Sequence, residues 1–334
     1  MNRPNVDWGI QISIEYVPKE TIYGGKKALD NGSMVLFFFE IGKKHLFCTM
    51  FSIPNILTAS NLLSGLFSIV FSLSGRLDWA VLAIFIGAVC DFFDGFAARL
   101  LNKQGEFGKQ LDSLADIVTF GVAPSIMVFV LLIISSAWDL IQTGGGALNN
   151  LWLDGTMGYS VSLWVGVYLN DLVGNEHPDY PMMFSGWNLI YPLFAFFIAF
   201  MSLFRLAKFN LDERQSTGFI GIPTPANTLF FAAFALMLWD GFGAEDWRTA
   251  LSMTLIKDQV LLFFVVLFSL LLVAELPLFS LKFTSFSWKE NQLRIIFLGI
   301  SAILISTLFV WALPLIILLY IGMSLGKYSM RSSS

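Results

Sequence analysis

Long apolar runs are the feature that most restricts how this chain can fold. Of its 334 residues, 56% are hydrophobic and only 13% are charged, against roughly 25% charged residues in soluble domains. A helix needs about 20 mostly apolar residues to cross a bilayer. Eight such stretches lie at roughly residues 54–74, 78–100, 110–136, 188–207, 224–242, 258–277, 293–311 and 313–327. The sequence therefore predicts an all-α, polytopic membrane helix bundle with about eight transmembrane helices.

The last two stretches share one apolar run that is too long for a single span. Pro314 is the expected break, because proline removes an N–H donor and clashes with the preceding helical turn. If the chain does not turn back there, the count falls to seven spans.

Lys and Arg are distributed unevenly between the two sides that eight spans define. All but three of the 20 basic residues lie at the termini or in loops on the same side, and the exceptions are Arg76, Arg248 and Lys257. Short cytoplasmic loops are enriched in Lys and Arg. Both termini are therefore predicted to be cytoplasmic.

Two segments fall outside the pattern of spans. Residues 1–50 are polar and mixed, with no signal-peptide pattern, and within them residues 34–50 combine Phe and Leu with charges, as an interfacial helix would. Residues 137–187 contain no Lys or Arg and are predicted to form an extracytoplasmic loop insertion. The predicted membrane domain spans residues 51–330. The two cysteines, Cys48 and Cys90, are predicted to be free thiols.

A cluster of acidic residues interrupts the apolar sequence at the expected cytoplasmic ends of spans 2 and 3. Its members are Asp91, Asp94, Asp112 and Asp116. Spacings of three and four residues place each pair on one helix face, and a short loop makes the two helices antiparallel neighbours. We therefore expect the four carboxylates to converge just inside the membrane.

Carboxylates that crowd together in a low dielectric need compensating positive charge, and the nearby Arg99 is not sufficient. Divalent cations would supply it, and an all-oxygen site suits Mg²⁺, Mn²⁺ or Ca²⁺ better than Zn²⁺. Two ions held by shared carboxylates are common in enzymes that transfer groups at phosphorus. Small residues on the same faces, Gly95, Ala98 and Gly108, would let a ligand or another helix approach the backbone. The alternative is that the aspartates are interfacial helix ends and that the small residues serve packing.

The spacing of these residues forms one motif, Asp91-x2-Asp94-Gly95-x2-Ala98-Arg99-x8-Gly108-x3-Asp112-x3-Asp116. This motif resembles the signature of the CDP-alcohol phosphatidyltransferase family at every signature position. The resemblance implies a six-helix catalytic core that transfers a phosphatidyl group from CDP-diacylglycerol to an alcohol and releases CMP. It also implies two Mg²⁺ or Mn²⁺ ions bound by the four aspartates, with Asp116 as the general base. The implied CDP pocket consists of Gly95, Ala98, Arg99 and Gly108.

Two further stretches resemble the branch of the family whose members use L-serine as the acceptor. They are "IPNILTASNLLSGLFSI" (53–69), with Asn61 where glycerophosphate-using relatives commonly carry Arg, and "FRLAKFNLDERQSTGFIGIPTPAN" (204–227). The implied partners are CDP-diacylglycerol, L-serine and the lipid bilayer of the bacterial cytoplasmic membrane, and nucleic acid is not among them. The oligomeric state is left open, with a homodimer as the candidate assembly.

Polar and basic residues at the same membrane level are further candidates. Asn55, Thr58 and Asn61 lie along one side of span 1, where they either contact the nucleotide or acceptor or form helix–helix hydrogen bonds. Arg205 and Lys208 lie at the cytoplasmic end of span 4, where they either bind the serine carboxylate or a substrate phosphate, or anchor the helix as basic residues do on the cytoplasmic side.

Two other functions remain as alternatives. The first is the same reaction with another acceptor, such as glycerol 3-phosphate, inositol or choline. The second is a divalent-cation transporter. A transporter would place its carboxylates near the bilayer midplane, often on broken helices, whereas these aspartates cluster at one interface.

Overall fold

The structure is a computed structural model that describes residues 51–102, 105–144, 157–175, 182–211, 219–241, 246–279 and 288–332. These residues belong to one unit, Phe51–Ser334. The predicted tail with its interfacial segment, residues 1–50, lies outside the described residues, and so does Cys48. The predicted boundaries of the membrane domain stay a prediction.

Helices account for nearly all of the described chain. The first group is α1 (Ile53–Leu73), α2 (Leu77–Leu100), α3 (Glu106–Asp116), a π-helical segment (Ile117–Val122) and α4 (Ala123–Gly144). The second group is α5 (Met157–Leu172), α6 (Trp187–Ile190), a 3₁₀ turn (Tyr191–Ala195) and α7 (Phe196–Leu211). The third group is α8 (Thr224–Gly241), α9 (Trp247–Leu255), α10 (Asp258–Val273), α11 (Trp288–Leu308), a 3₁₀ turn (Phe309–Trp311) and α12 (Ala312–Ser332). Two-residue strands, β1 (Phe219–Ile220) and β2 (Pro277–Leu278), form one antiparallel pair.

The predicted membrane helix bundle is confirmed. Each predicted span coincides with a helix or a continuous run of helices. By length and composition, five runs in the described residues could cross a membrane, or six if α9 and α10, which meet at 57°, form one broken span. The protein is therefore an integral membrane protein with an all-helical core.

The last apolar run forms two helices, although the break is not at Pro314. The ring centroids of Phe297 on α11 and Tyr320 on α12 lie 5.7 Å apart, whereas 23 residues of uninterrupted helix would separate them by about 35 Å. The chain turns back at Phe309, whose φ of 49° leaves the helical region. Pro314 lies in the first turn of α12, where the missing N–H has no helical partner in any case.

The segment predicted as a loop insertion contains a helix that the sequence analysis missed. On α5, Val161, Trp164, Val165 and Tyr168 are buried, and their spacing of three, four and seven residues places them on one face. The Tyr168 hydroxyl donates a hydrogen bond to the Leu189 carbonyl over 2.7 Å. Part of this insertion is thus packed into the hydrophobic core.

A close helix contact fixes the position of the site. At Gly65 on α1, a Cβ atom would lie 2.6 Å from Thr119 Oγ1 and 2.8 Å from Thr119 Cα of the π-helical segment. The Thr119 hydroxyl donates a hydrogen bond to the Asn61 carbonyl over 2.9 Å. Because glycine has no side chain, the two backbones can approach closely enough for this bond, as in other membrane helix pairs.

Substitution of this glycine should loosen the bundle. We expect Gly65→Ala to lower stability by about 1–3 kcal/mol, because the added methyl overlaps the backbone of Thr119 rather than a movable side-chain end. The apparent midpoint of thermal unfolding in detergent measures this. Gly299→Ala is the matched control, since a Cβ there meets nothing within 4 Å and alanine favours helix. Equal midpoints for the two variants would contradict the assigned contact.

Candidate active site

Three of the four predicted aspartates meet at one point. Asp91 on α2 and the pair Asp112 and Asp116 on α3 each offer a carboxylate oxygen, and these oxygens lie within 4.8 Å of one another. All three side chains are half-buried. Asp116 is the last residue of α3 and directly precedes the π-helical segment that packs against Gly65. The spacing of the motif thus produces the predicted convergence of these three carboxylates.

Asp94 lies one turn beyond Asp91 and has a different environment. It is buried, and its Oδ2 accepts a hydrogen bond from the Thr58 hydroxyl of α1 over 2.6 Å. This bond joins α1 to α2, so it fixes the Asp94 carboxylate of α2 relative to α1. Asp94 therefore lies beside the three-carboxylate cluster and faces α1.

The cluster has the chemistry of a site for a hard divalent cation. The Oδ1 atom of Asp112 is buried and has no hydrogen-bond partner among the described residues. A buried acceptor without a donor is destabilising, and a bound cation would satisfy it. The three neighbouring carboxylates repel one another and offer oxygen ligands only, which fits Mg²⁺, Mn²⁺ or Ca²⁺. The cluster could therefore hold a metal ion.

A polar pocket of about 240 Å³ opens beside the aspartates. Its lining residues are Pro54, Asn55, Thr58, Asp94, Gly95, Ala98, Gly105, Gly108, Lys109 and Asp112. A Cβ at Gly95 would meet no atom within 4 Å, so this part of α2 presents bare backbone to the pocket. The pocket brings together Asn55, Thr58 and all three small residues of the motif, Gly95, Ala98 and Gly108.

The basic residue on the pocket lining is not the one that the motif predicts. Arg99, a motif residue, is exposed at the end of α2 and does not appear on the described pocket lining. Lys109 was not predicted as a site residue, yet it lines the pocket. Its position directly after Gly108, one turn before Asp112, was the signal that could have identified it.

Asn61 contacts Asp116 directly, and the buried Arg205 lies within electrostatic range of it. The Asn61 amide nitrogen donates a hydrogen bond to Asp116 Oδ1 over 3.1 Å. The Arg205 side chain is buried, its Nε donates to the Ile222 carbonyl over 3.3 Å, and its positive charge interacts with Asp116. The guanidinium carbon lies 4.8 Å from the centre of the Phe209 ring, which holds it by a cation–π contact.

Lys208 has a different setting from Arg205. Its ammonium pairs with the carboxylate of Glu275 over 3.3 Å, and both side chains are substantially exposed. Exposed pairs of this kind contribute little to stability. Of the two basic residues predicted at the end of span 4, Arg205 is the buried one and lies within electrostatic range of Asp116.

Comparison with known proteins agrees with the motif. The family model for CDP-alcohol phosphatidyltransferases matches residues 51–149. A CDP-diacylglycerol–serine O-phosphatidyltransferase of Bacillus subtilis (strain 168) is 32% identical over 186 residues, which cover 56% of this chain and 73% of that protein. A protein of the same name from Helicobacter pylori (strain 26695) is 25% identical over 253 residues, 75% of this chain and 81% of that protein. An archaetidylserine synthase of Methanothermobacter thermautotrophicus is 27% identical over 196 residues, 58% of this chain and 60% of that protein.

Metal binding by the cluster can be measured without any reaction. We expect saturating Mn²⁺ to raise the midpoint of thermal unfolding of the purified protein, since a ligand at about 100 times its Kd stabilises by about 2.7 kcal/mol. EDTA should reverse the shift. In Asp91→Asn the shift should be lost, because one of the three converging carboxylates is neutral.

The control is Asp78→Asn, which removes one negative charge at the opposite end of α2, where Asp78 pairs with Arg76. This variant should keep the full Mn²⁺ shift. A shift of equal size in Asp91→Asn would show that the ion binds elsewhere.

Proposed function

The chain belongs to the CDP-alcohol phosphatidyltransferase family, and we propose that it transfers the phosphatidyl group of CDP-diacylglycerol to L-serine, giving phosphatidylserine and CMP. The observation that carries this proposal is the meeting of three motif carboxylates beside a polar pocket lined by other residues of the same motif. The serine oxygen forms a bond to the phosphorus that bears diacylglycerol, and the bond from that phosphorus to the CMP oxygen breaks.

The proposed metal ligands are the four motif aspartates, Asp91, Asp94, Asp112 and Asp116. Two Mg²⁺ or Mn²⁺ ions bound there would polarise the diphosphate of the substrate and stabilise the departing CMP oxygen. The orphaned buried oxygen of Asp112 and the all-oxygen donor set support this assignment.

Asp116 is the proposed general base. A serine hydroxyl is a poor nucleophile near neutral pH, so its proton must leave as the new bond forms. Asn61 holds Asp116 Oδ1 by a hydrogen bond, which orients the carboxylate and leaves Oδ2 to accept the proton. The Asn61 side chain is itself fully buried, so this orientation is fixed by packing.

The proposed nucleotide pocket contains Asn55, Thr58, Gly95, Ala98 and Gly108. These residues line one volume, and the backbone exposed at Gly95 permits a flat or bulky group to approach α2. Arg99 is assigned to this pocket only because it belongs to the motif. Because the pocket lies beside α1 and α2, whose outer faces are apolar and exposed, the acyl chains of the substrate can remain in lipid.

Serine is the proposed acceptor for two reasons. Two of the relatives carry serine in their names, and a third is named for archaetidylserine. In addition, the stretch of α1 facing the site carries Asn61 and has no Lys or Arg, whereas a phosphorylated acceptor would need additional positive charge. The proposed partner of the serine carboxylate is Arg205, a buried cation close to the base, with Lys208 as the weaker candidate.

The proposed location is the cytoplasmic membrane of a bacterium, with both termini and the active site on the cytoplasmic side. The segregation of Lys and Arg supports the orientation, and CDP-diacylglycerol, serine and CMP are then exchanged with lipid and cytoplasm at one interface. The homodimer stays a prediction that a mass measurement of the purified protein in detergent would test.

A reaction assay tests the proposed activity directly. Purified protein with CDP-diacylglycerol and Mn²⁺ or Mg²⁺ should release CMP with L-serine and much less with glycerol 3-phosphate, inositol or choline. Asp116→Asn should lower the rate by about 10²–10⁴, the usual contribution of a general base, while Asp78→Asn should not. If another alcohol gives product and serine gives none, the acceptor is wrong and only the reaction class survives.

If Arg205 binds the serine carboxylate, its replacement should change the KM for serine much more than the KM for CDP-diacylglycerol. Loss of a charge-assisted hydrogen bond costs roughly 1.5–3 kcal/mol, so Arg205→Gln should raise the KM for serine about ten- to a hundredfold. The KM for CDP-diacylglycerol should change much less. Lys208→Gln is the matched comparison and should have a small effect, because Lys208 pairs with Glu275 instead. A parallel rise of both KM values in Arg205→Gln would assign the residue to the substrate phosphates.

Thiol labelling tests the orientation. In a variant with Cys48 and Cys90 replaced by alanine, G145C should react with an impermeant thiol reagent added outside intact cells, and S216C should not. Both positions lie outside the described residues, in segments that the basic-residue pattern assigns to opposite sides. Reversed labelling would place the site on the extracytoplasmic side.

A further inference from the structure

Lys109 is the only Lys or Arg among the described residues that line the polar pocket. The charged residues that share this lining are two carboxylates, Asp94 and Asp112. Lys109 directly follows Gly108 and lies one turn before Asp112 on α3. Its ammonium group is therefore the positive charge of a pocket whose other charges are negative.

One contact of Lys109 has a structural explanation. Its Nζ donates a hydrogen bond to the Asn210 carbonyl over 3.1 Å, in the last turn of α7. Carbonyls in the last turn of a helix have no partner within that helix, so a lysine there can act as a cap. The Asn210 amide nitrogen donates to Ser113 Oγ over 2.7 Å, which completes a link between α3 and α7.

Capping does not use the whole ammonium group. A lysine ammonium has three donors, and the Asn210 carbonyl takes one in the described structure. The side chain is exposed and lines the pocket, so the remaining donors can reach a ligand there. Lysine is a common binder of phosphate as a point charge.

The charge balance of the pocket favours a cation beside the phosphate groups of the nucleotide. Two divalent ions would balance the four motif aspartates and no more. The diphosphate of the nucleotide substrate adds negative charge that this balance leaves uncompensated. An ammonium group on the pocket wall supplies the missing positive charge without competing for the carboxylate oxygens that face the metals.

We propose that Lys109 binds the phosphate groups of the nucleotide ligand in this pocket. This inference rests on the proposed function, because it assumes that the pocket accepts a cytidine diphosphate group. It adds to the motif a residue that the motif leaves unspecified, and it places that residue on α3, whereas Thr58 and Asn55 line the pocket from α1.

Equilibrium binding of CDP to the purified full-length protein, with Mg²⁺ present, tests the proposal independently of turnover. Lys109→Gln removes the charge but keeps a donor for the Asn210 carbonyl, and should weaken CDP binding about tenfold. Lys109→Arg keeps the charge and should bind within about threefold of the wild type. The matched control is Lys327→Gln, which neutralises an exposed lysine near the end of α12 and should bind CDP normally.

The unfolding midpoints of all variants separate binding from stability. A Lys109→Gln protein that binds CDP as tightly as the wild type overturns the proposal, and so does a wild type that binds no CDP. If Lys109→Gln also has a lowered midpoint, CDP binding is measured well below that midpoint, where the variant is folded. Binding that is still weak there supports the proposal, and binding that recovers to the wild-type level overturns it. If the wild type binds CDP with the expected dependence on Lys109 but releases no CMP with serine, the proposed function fails while the phosphate site stands.

Discussion

Mutual repulsion among carboxylates at the end of membrane-spanning helices is the constraint around which this site is built. Three aspartates lie within 4.8 Å of one another at their nearest oxygens, and a fourth lies one turn away. Such a cluster would push its helices apart unless the helices were held by other contacts and the charge were compensated. The contacts are present: α1 packs on the π-helical segment at Gly65, Thr58 holds Asp94, and Asn61 holds Asp116. All three come from α1, which carries none of the aspartates.

The π-helical segment directly after Asp116 separates α3, which carries site residues, from α4, which packs in the core. The functional residues of α3 face the polar cluster, whereas α4 is almost entirely buried in the apolar core. A π-helical turn inserts an extra residue and so rotates the face that the next helix presents, and such turns are frequent at functional sites. Within this segment, the Phe120 carbonyl accepts a hydrogen bond from the Thr228 hydroxyl of α8 over 2.9 Å. A neighbouring helix thus supplies a side-chain hydrogen bond to the π-helical segment.

The sequence predicts those parts of the structure that depend on local spacing. Apolar length identified the helices, and the three- and four-residue spacing of Asp91, Asp112 and Asp116 identified the cluster. Features that depend on tertiary contacts were missed. The break between α11 and α12 falls at Phe309 because the chain must return to pack Tyr320 on Phe297, which proline position alone does not show. Helix α5 was missed because its four-residue apolar face is short and lies between polar, glycine-rich stretches.

The same limit explains why sequence alone did not distinguish the cations near the site. Arg205 and Lys208 lie at the same level in the sequence, and only packing shows that Arg205 is buried near Asp116 while Lys208 pairs with Glu275 at the surface. Lys109 belongs to no predicted set, yet it lines the pocket with Asp94 and Asp112. In the proposed reaction this places one cation beside the base, where the acceptor enters, and another beside the nucleotide, where the leaving group departs. Displacement at phosphorus requires the entering and leaving oxygens to lie roughly in line, on opposite sides of the phosphorus. The link from Lys109 through Asn210 to Ser113 joins α3 to α7, the helix that carries Arg205, and so fixes relative to each other the two helices that supply these cations.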